Sequence, residues 1–237
     1  NGGIVDLDRT LWEALSPRKM IRAVDDRLDT NIAFLTVEEV ETTFNPRMAL
    51  HRTYRYRLEA MEFWVEPPLD QFNRWLNLFV GTYDARNFAR LEEGKNPQRT
   101  VLEAKPWLDG ERLMGFEITG EAFLWNQVRR VANALFRLAV GELQESDIKA
   151  AIEHPLVPVD FGVAPPEWLV LWGVAWERAP LPEESHSTVF SAPPTGRTAE
   201  RTRNGRWRQA AQHELKSMLY NEWAEIGTLP VVYHRSQ

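Results

Sequence analysis

The chain has no cysteine, which excludes disulfide bonds, thiolate catalysis and cysteine-ligated zinc. Its few histidines are too scattered to suggest a ligand cluster, so we expect no structural metal: they are His51, His154, His186, His213 and His234. No stretch approaches the roughly 18 apolar residues of a membrane span, and residues 1–8 lack the basic and apolar regions of a signal peptide. We therefore expect a soluble, cytoplasmic protein.

Positive charge is also scarce. The chain has 28 Lys and Arg against 34 Asp and Glu, a net charge of -6. This balance argues mildly against a nucleic-acid partner, although only the charge at the contact surface decides phosphate binding. At 237 residues and 43% hydrophobic content, the chain is long and apolar enough for one large domain or two small ones.

Hydrophobic periodicity predicts strands and helices in the first third of the chain. Residues 4–7 and 32–37 are typical of short strands, and Ser16-Pro17 is typical of a helix start. Alternation from Tyr54 to Trp64 predicts one long strand with a basic edge. Residues 69–79 have helical spacing, and Gly81 stands where a glycine would end that helix.

The rest of the chain continues this mixture. We predict a strand over 114–118, a helix over 128–138 closed by Gly141, and a short helix capped by Ser146. The nearly continuous apolar run 168–176 predicts a central strand covered on both faces. The fold class is therefore mixed α/β or α+β, built around a substantial sheet.

Composition changes near residue 178. Prolines and serines make 178–196 a predicted linker, so the compact domain should end near 177. Residues 197–237 are predicted to form a basic helical extension, whose early arginines are Arg197, Arg201, Arg203, Arg206 and Arg208.

Three segments carry side chains suited to chemistry. In 44–58, arginines that can bind phosphate alternate with Tyr54 and Tyr56, whose rings can stack on bases; by pattern alone, an ordinary strand with solvated arginines is the alternative. In 122–130, Arg129 or Arg130 lies at the edge of an apolar helix face, where it could pair with a buried carboxylate or simply extend to solvent. In 164–172, two prolines lead into an apolar strand, which by itself is ordinary core sequence.

Taken together and in order, these segments resemble the TruA-type tRNA pseudouridine synthase family. The similarity runs from about residue 1 to 177 and rests on four motifs. They are Arg-x-Tyr-x-Tyr (52–56), Gly-Thr-Tyr-Asp-Ala-Arg-Asn-Phe (81–88) beside the family's Gly-x-His-Asp-Phe-x-x-Phe, Phe-Leu-x-x-x-Val-Arg (123–129) and Ala-Pro-x-x-x-Leu-x-Leu (164–171). The segments Phe-Asn-Pro-Arg (44–47) and Phe-Leu-Trp-Asn-Gln-Val-Arg (123–129) resemble the archaeal and eukaryotic branches of the family, since bacterial members often have Met in place of Gln127.

The resemblance implies a pseudouridine synthase fold, in which two ferredoxin-like lobes share an extended, mostly antiparallel sheet flanked by helices. Residues 1–46 would be the remainder of the N-terminal lobe, and 47–177 the C-terminal catalytic and RNA-binding lobe. The family's Arg-Thr-Asp-x-Gly hallmark does not occur in residues 1–237. Its nucleophilic aspartate is expected about five positions before Asn1, by counting along the motif itself, and the chain as given is expected to be inactive.

The resemblance also implies roles and partners. Arg129 would pair with the missing aspartate, Tyr54 would lie against the flipped base, and Leu169 would form the floor of the pocket. Candidate RNA contacts are Arg47, Arg52, Arg55, Arg57 and Arg130. The implied activity is conversion of uridine to pseudouridine in the anticodon stem-loop of tRNA, around positions 38 to 40, by a homodimer that needs no metal or other cofactor. The alternatives are a noncatalytic RNA-binding relative without the nucleophile and a generic sheet-based RNA-recognition module.

Overall fold

The structure is a computed structural model, and it describes residues 3–25, 27–28, 32, 37–177, 207–217 and 220. The chain divides into two compact units. One contains Asn1–Ile4 and Thr43–Leu181, and the other contains Val5–Thr42 and Pro182–Gln237. The predicted linker 178–196 lies outside the described residues, as do most of the predicted strand 32–37 and most of the extension 197–237.

In the second unit, the described elements are helices. Helix α1 (Arg9–Ala14) begins after Asp8, whose carboxylate accepts hydrogen bonds from the backbone N–H groups of Thr10 and Leu11. Helix α2 (Pro17–Asp25) starts with the predicted proline, and residues 207–217 are also helical. The predicted strand 4–7 is wrong: residues 3–8 are neither helix nor strand, and their apolar side chains are exposed without a described strand beside them.

The first unit is an antiparallel sheet packed against helices. Its described strands are β1 (His51–Tyr56), β2 (Gly81–Asp84), β3 (Gln98–Asp109), β4 (Arg112–Gly120) and β5 (Leu169–Ala175). They are arranged in the order β2-β3-β4-β1-β5. The helices are α3 (Leu69–Asn77), α4 (Gln127–Ala139) and α5 (Glu145–Glu153). The predicted mixed α+β class is confirmed.

The core lies between the helices and one face of the sheet. Tyr56 of β1 and Phe116 of β4 are fully buried on this face, and Leu135 of α4 packs in the same cluster. Phe88 stacks on Phe161 with ring centroids 4.8 Å apart, which ties the turn after β2 to the segment before β5. The opposite face of the sheet is more polar, because strand residues alternate between the two faces.

Strand β1 is shorter than predicted. It ends at Tyr56, and a 3-10 turn follows over Leu58–Ala60. Gly115 of β4 lies so close to this point that a Cβ atom on it would be 1.9 Å from the Tyr56 carbonyl oxygen. The chain leaves the sheet where Leu58 turns into the core, so the alternation that continues to Trp64 is not strand alternation.

Three other predictions need correction. Among the described strands, the one formed by the run 168–176 lies at the edge of the sheet and not at its centre, and Trp172 on its polar face is 49% exposed. Helix α5 begins before Ser146, since Gln144 is its N-cap and the Gln144 N–H donates to the Asp147 carboxylate. Gly81 does not end α3, which finishes at Asn77, but begins β2 with a positive φ of 116°.

Candidate active site

The candidate site lies along the paired strands β1 and β5. Tyr54 pairs with Leu171 and Tyr56 with Leu169, so these four side chains lie on the face of the sheet that carries the helices. The Tyr54 ring makes an edge-to-face contact with Phe123, with ring centroids 5.4 Å apart. Leu169 is partly buried against the core.

The Tyr54 hydroxyl makes no hydrogen bond to a described residue, although its ring is half-buried. Burial raises the pKa of this phenol, and the nearby Arg52 opposes the rise only partly. Tyr54 is therefore a neutral phenol at physiological pH, and its O–H is available to a bound ligand.

Arg129 is positioned by the start of α4. The Asn126 backbone before the helix is left-handed, with φ of 62°. The Asn126 side-chain oxygen accepts a hydrogen bond from Arg129 Nη1 at 3.1 Å, and the Ala164 carbonyl accepts one from Arg129 Nε at 2.7 Å. The Ala164 N–H donates in return to the Arg129 carbonyl at 3.2 Å. These bonds fix the guanidinium against the segment that leads into β5.

Tyr56 connects Arg129 to the two strands. Its hydroxyl donates to the Pro165 carbonyl at 2.9 Å, next to the Ala164 carbonyl that Arg129 holds. The pKa of Tyr56 is raised, mainly by burial and also by Glu167, while Arg129 acts to lower it. The structure thus brings Arg129 and Leu169 to the end of β1 that carries Tyr56. Tyr54 lies two residues earlier in the same strand. Arg129 makes no ion pair in the described part of the chain.

Gln127 is a positioning residue that sequence reasoning noticed without assigning it a role. It is almost fully buried, and its side-chain oxygen accepts a hydrogen bond from the Leu124 N–H at 2.9 Å. Its amide lies beside the Tyr83 hydroxyl, whose pKa is raised by burial. Gln127 therefore holds the turn that presents Phe123 and Asn126, and the only sequence signal was a polar residue on an apolar helix face.

Two of the predicted RNA-binding arginines differ sharply in their surroundings. Arg52 donates to three backbone carbonyls: from Nη1 to Ala49 at 3.1 Å and Glu121 at 2.6 Å, and from Nη2 to Arg47 at 2.7 Å. Arg47 has an exposed side chain that makes no ion pair to a described residue. Arg52 therefore holds loops together, and the Arg47 side chain is the more accessible of the two for contact with RNA.

Arg55 lies on the polar face of the sheet, away from Tyr54. Its Nε donates to Glu117 at 2.7 Å, and both side chains are largely buried. The guanidinium lies 3.8 Å from the Trp172 ring centroid and 5.5 Å from that of Trp107. Arg55 is not brought together with the candidate catalytic residues.

The remaining two predicted RNA contacts are in ion pairs. Arg57 is paired with Glu59, two residues along the chain. Arg130 Nη1 lies 2.6 Å from Asp160, whose carboxylate is mostly exposed. Hydrogen bonds from the Gly162 N–H and from Arg130 lower the pKa of Asp160. Neither side chain forms a hydrogen bond with Tyr54 or Arg129 in the described part of the chain.

The described residues contain neither a candidate metal site nor a candidate membrane span. No group of three or more histidine, aspartate or glutamate side chains there is placed to hold a metal ion. No helix among those residues has the length and apolar composition needed to cross a membrane.

Comparison with known proteins agrees with the motif order. Residues 76–177 match the family model described as tRNA pseudouridine synthase. The chain is 34% identical over 177 residues to tRNA pseudouridine synthase A of Methanoculleus marisnigri, covering 73% of this chain and 62% of the relative. The corresponding protein of Thermococcus kodakarensis is 33% identical over 152 residues, covering 62% of this chain and 53% of the relative. That of the bacterium Exiguobacterium sp. is 26% identical over 189 residues, covering 75% and 76%.

The match thus spans between about half and three fifths of the two archaeal relatives. The family model covers α4, β5 and all but the first of the four motifs on which the resemblance rests, and the relatives extend the similarity beyond it. The chain is similar to the tRNA pseudouridine synthase family over residues 76–177 and, in the two archaeal relatives, over a longer stretch.

Proposed function

We propose that this protein is a tRNA pseudouridine synthase that acts on uridine in the anticodon stem-loop of tRNA. The observation that carries the proposal is the Arg129 guanidinium, which two oxygen acceptors fix beside Tyr56 and which has no carboxylate partner among the described residues. A fixed guanidinium at the edge of an apolar wall is suited to hold an ionised aspartate, since it offsets the cost of burying that charge. Similarity to the tRNA pseudouridine synthase family supports the reaction type.

The proposed reaction is an isomerisation without oxidation or reduction. The bond between C1′ and N1 of uridine breaks, the uracil turns in the pocket, and a new bond joins C1′ to C5. C5 loses its proton and N1 gains one, so atoms and electrons balance. We expect the nucleophilic aspartate of this reaction to lie in the family's Arg-Thr-Asp-x-Gly motif, upstream of Asn1.

Each wall residue has a separate task in this proposal. The uridine leaves the RNA stack to enter the pocket, and Leu169 supplies an apolar surface beneath it. Tyr54 lies against the base, and its neutral phenol can relay the proton that leaves C5. Arg129 orients the aspartate and stabilises its charge. A homodimer in the cytoplasm is part of the same proposal.

The test is tritium release from tRNA labelled at C5 of uridine, because the isomerisation expels that hydrogen. Residues 1–237 are compared with the same chain preceded by its upstream coding sequence, and with that longer chain carrying upstream Asp→Ala. We expect release only from the longer chain with its aspartate. Mapping of pseudouridine in the product tRNA then tests the anticodon stem-loop assignment.

The competing function is noncatalytic RNA binding by a relative that lacks the nucleophilic aspartate. It would be supported if the natural reading frame had no Arg-Thr-Asp-x-Gly motif upstream and the natural protein bound tRNA without releasing tritium. Activity of residues 1–237 alone would contradict the assignment of an upstream aspartate.

A further inference from the structure

An exposed tryptophan lies in the short segment whose neighbouring residues contact Tyr54 and Arg129. Trp125 is 53% exposed, and the Arg90 guanidinium lies 4.4 Å from its ring centroid. The Arg90 N–H also donates to the Trp125 carbonyl at 2.9 Å, so the loop after β2 and the segment before α4 form a short antiparallel bridge. The indole is therefore held from two directions while about half of its surface stays open.

The position of Trp125 follows from its neighbours. Phe123, two residues earlier, contacts Tyr54, and Asn126, the next residue, accepts a hydrogen bond from Arg129. The Gln127 side chain holds the same turn through Leu124. One short segment thus presents both the candidate catalytic wall and the exposed indole, so a ligand in the pocket would have its neighbouring groups near Trp125.

The chemistry around Trp125 favours stacking over phosphate binding. Arg90 makes no ion pair to a described residue, but Glu92 and Glu93 follow it on the same exposed loop. The loop is therefore not a basic patch, and its distinctive feature is an open aromatic face. Such faces bind unpaired bases, with the cation adding to the attraction.

We propose that Trp125 is a stacking platform for an unpaired base of the RNA, adjacent to the uridine that enters the pocket. Arg90 holds the indole in position by its cation–π contact. This inference rests on the proposed function, because it takes the bound nucleic acid to be the tRNA substrate. It adds a recognition residue on a loop that the catalytic assignment does not use.

The test is the affinity of residues 1–237 for unmodified tRNA, measured by filter binding for the unsubstituted chain, W125A and W125F. We expect W125A to raise Kd by roughly five- to a hundredfold and W125F to stay within about threefold of the unsubstituted chain. The slope of log Kd against log salt should not change in W125A, because no phosphate contact is lost. The matched control is Phe63→Ala, which removes an aromatic ring that is 79% exposed elsewhere in the unit and should leave Kd unchanged.

A second measurement needs no variant. Photo-crosslinking of the unsubstituted chain to tRNA containing 4-thiouridine, followed by peptide mapping, should place a crosslink within residues 121–126. Binding of W125A within twofold of the unsubstituted chain, or crosslinks only in other peptides, would overturn the inference. If the unsubstituted chain and the chain extended upstream both fail to bind tRNA, the proposed function fails instead, so the two failures are distinguishable.

Discussion

Replacing Arg129 separates its structural contribution from its chemical one. Arg129→Met keeps the length of the side chain but removes both donors, so the Ala164 carbonyl and the Asn126 side-chain oxygen lose their partner. Arg129→Lys keeps the charge, but one ammonium group cannot reproduce the planar fork that serves two acceptors. The two variants should therefore differ in stability and in activity.

The contacts set the size of each effect. Ala164 is fully buried, so its unpaired carbonyl in Arg129→Met costs about 1–3 kcal/mol, and the partly exposed bond to Asn126 adds about 1 kcal/mol. We expect a loss of about 2–4 kcal/mol in the free energy of unfolding, and about half of that in Arg129→Lys, which keeps one bond. This is less than the roughly 5–15 kcal/mol stability of an ordinary domain, so both variants should fold.

Urea unfolding measures the stability, and tritium release by the chain extended upstream measures kcat/KM. We expect Arg129→Lys to lower kcat/KM by about ten- to a hundredfold and Arg129→Met by about a thousandfold or more. Arg137, on the same helix, is the matched control, because its pair with Glu142 is partly exposed and Arg137→Met should cost less than about 1 kcal/mol. Wild-type stability in Arg129→Met, or wild-type kcat/KM in Arg129→Lys, would refute the role assigned to the guanidinium.

Three further predictions test the surrounding structure. Gly115→Ala should lower the free energy of unfolding by at least about 3 kcal/mol in urea, because its Cβ would be 1.9 Å from the Tyr56 carbonyl oxygen and β4 would have to move away from β1. Burial raises the pKa of Tyr56, so stability present below about pH 10 should be lost as pH rises above that value, and thermal unfolding of Tyr56→Phe should show a smaller alkaline loss. Arg47→Ala should weaken tRNA binding without changing thermal stability, whereas Arg52→Ala should lower thermal stability because Arg52 holds three carbonyls.

The helices of the first unit were predictable, whereas its longest strand was not. In α3, the spaced residues Phe72, Trp75 and Leu76 are all buried, so periodicity and burial agree. In β3, the register shifts between Val101 and Glu103 and again between Trp107 and Leu108. Each shift moves the alternation to the other face, so the strand has no continuous period of two to be recognised.

The position of β5 in the sheet could not be deduced from its composition. Its apolar run predicted burial on both faces, but Val170 and Trp172 are exposed on the polar face of a strand that lies at the edge of the described sheet. Trp172 lies there against the Arg55 guanidinium, so its ring is used for a cation–π contact. The residue type alone does not show whether a tryptophan makes a cation–π contact or packs in the core.

The sequence motifs named candidate site residues but could not give their contacts. The motifs pointed to Tyr54, Leu169 and Arg129, and the structure places Leu169 and Arg129 at the same end of β1. The bond that holds Arg129 joins it to Ala164, 35 residues away along the chain. Such a contact depends on how α4 and the segment before β5 pack, which local patterns do not encode.

The alternation of arginine and tyrosine in β1 has two physical explanations, and the structure separates them residue by residue. Arg52 is bonded to carbonyls and Arg55 to Glu117, so recruiting either to a phosphate would first break contacts inside the protein. Each hydrogen bond of a charged group contributes about 1.5–3 kcal/mol, so a new bond to a phosphate would only replace the free energy lost when the internal bond breaks. Affinity for RNA should then depend more on the exposed Arg47 and on the Trp125 face than on the basic edge of β1 itself. The net charge of -6 does not contradict the proposed RNA binding, because only the charge at the contact surface decides phosphate binding.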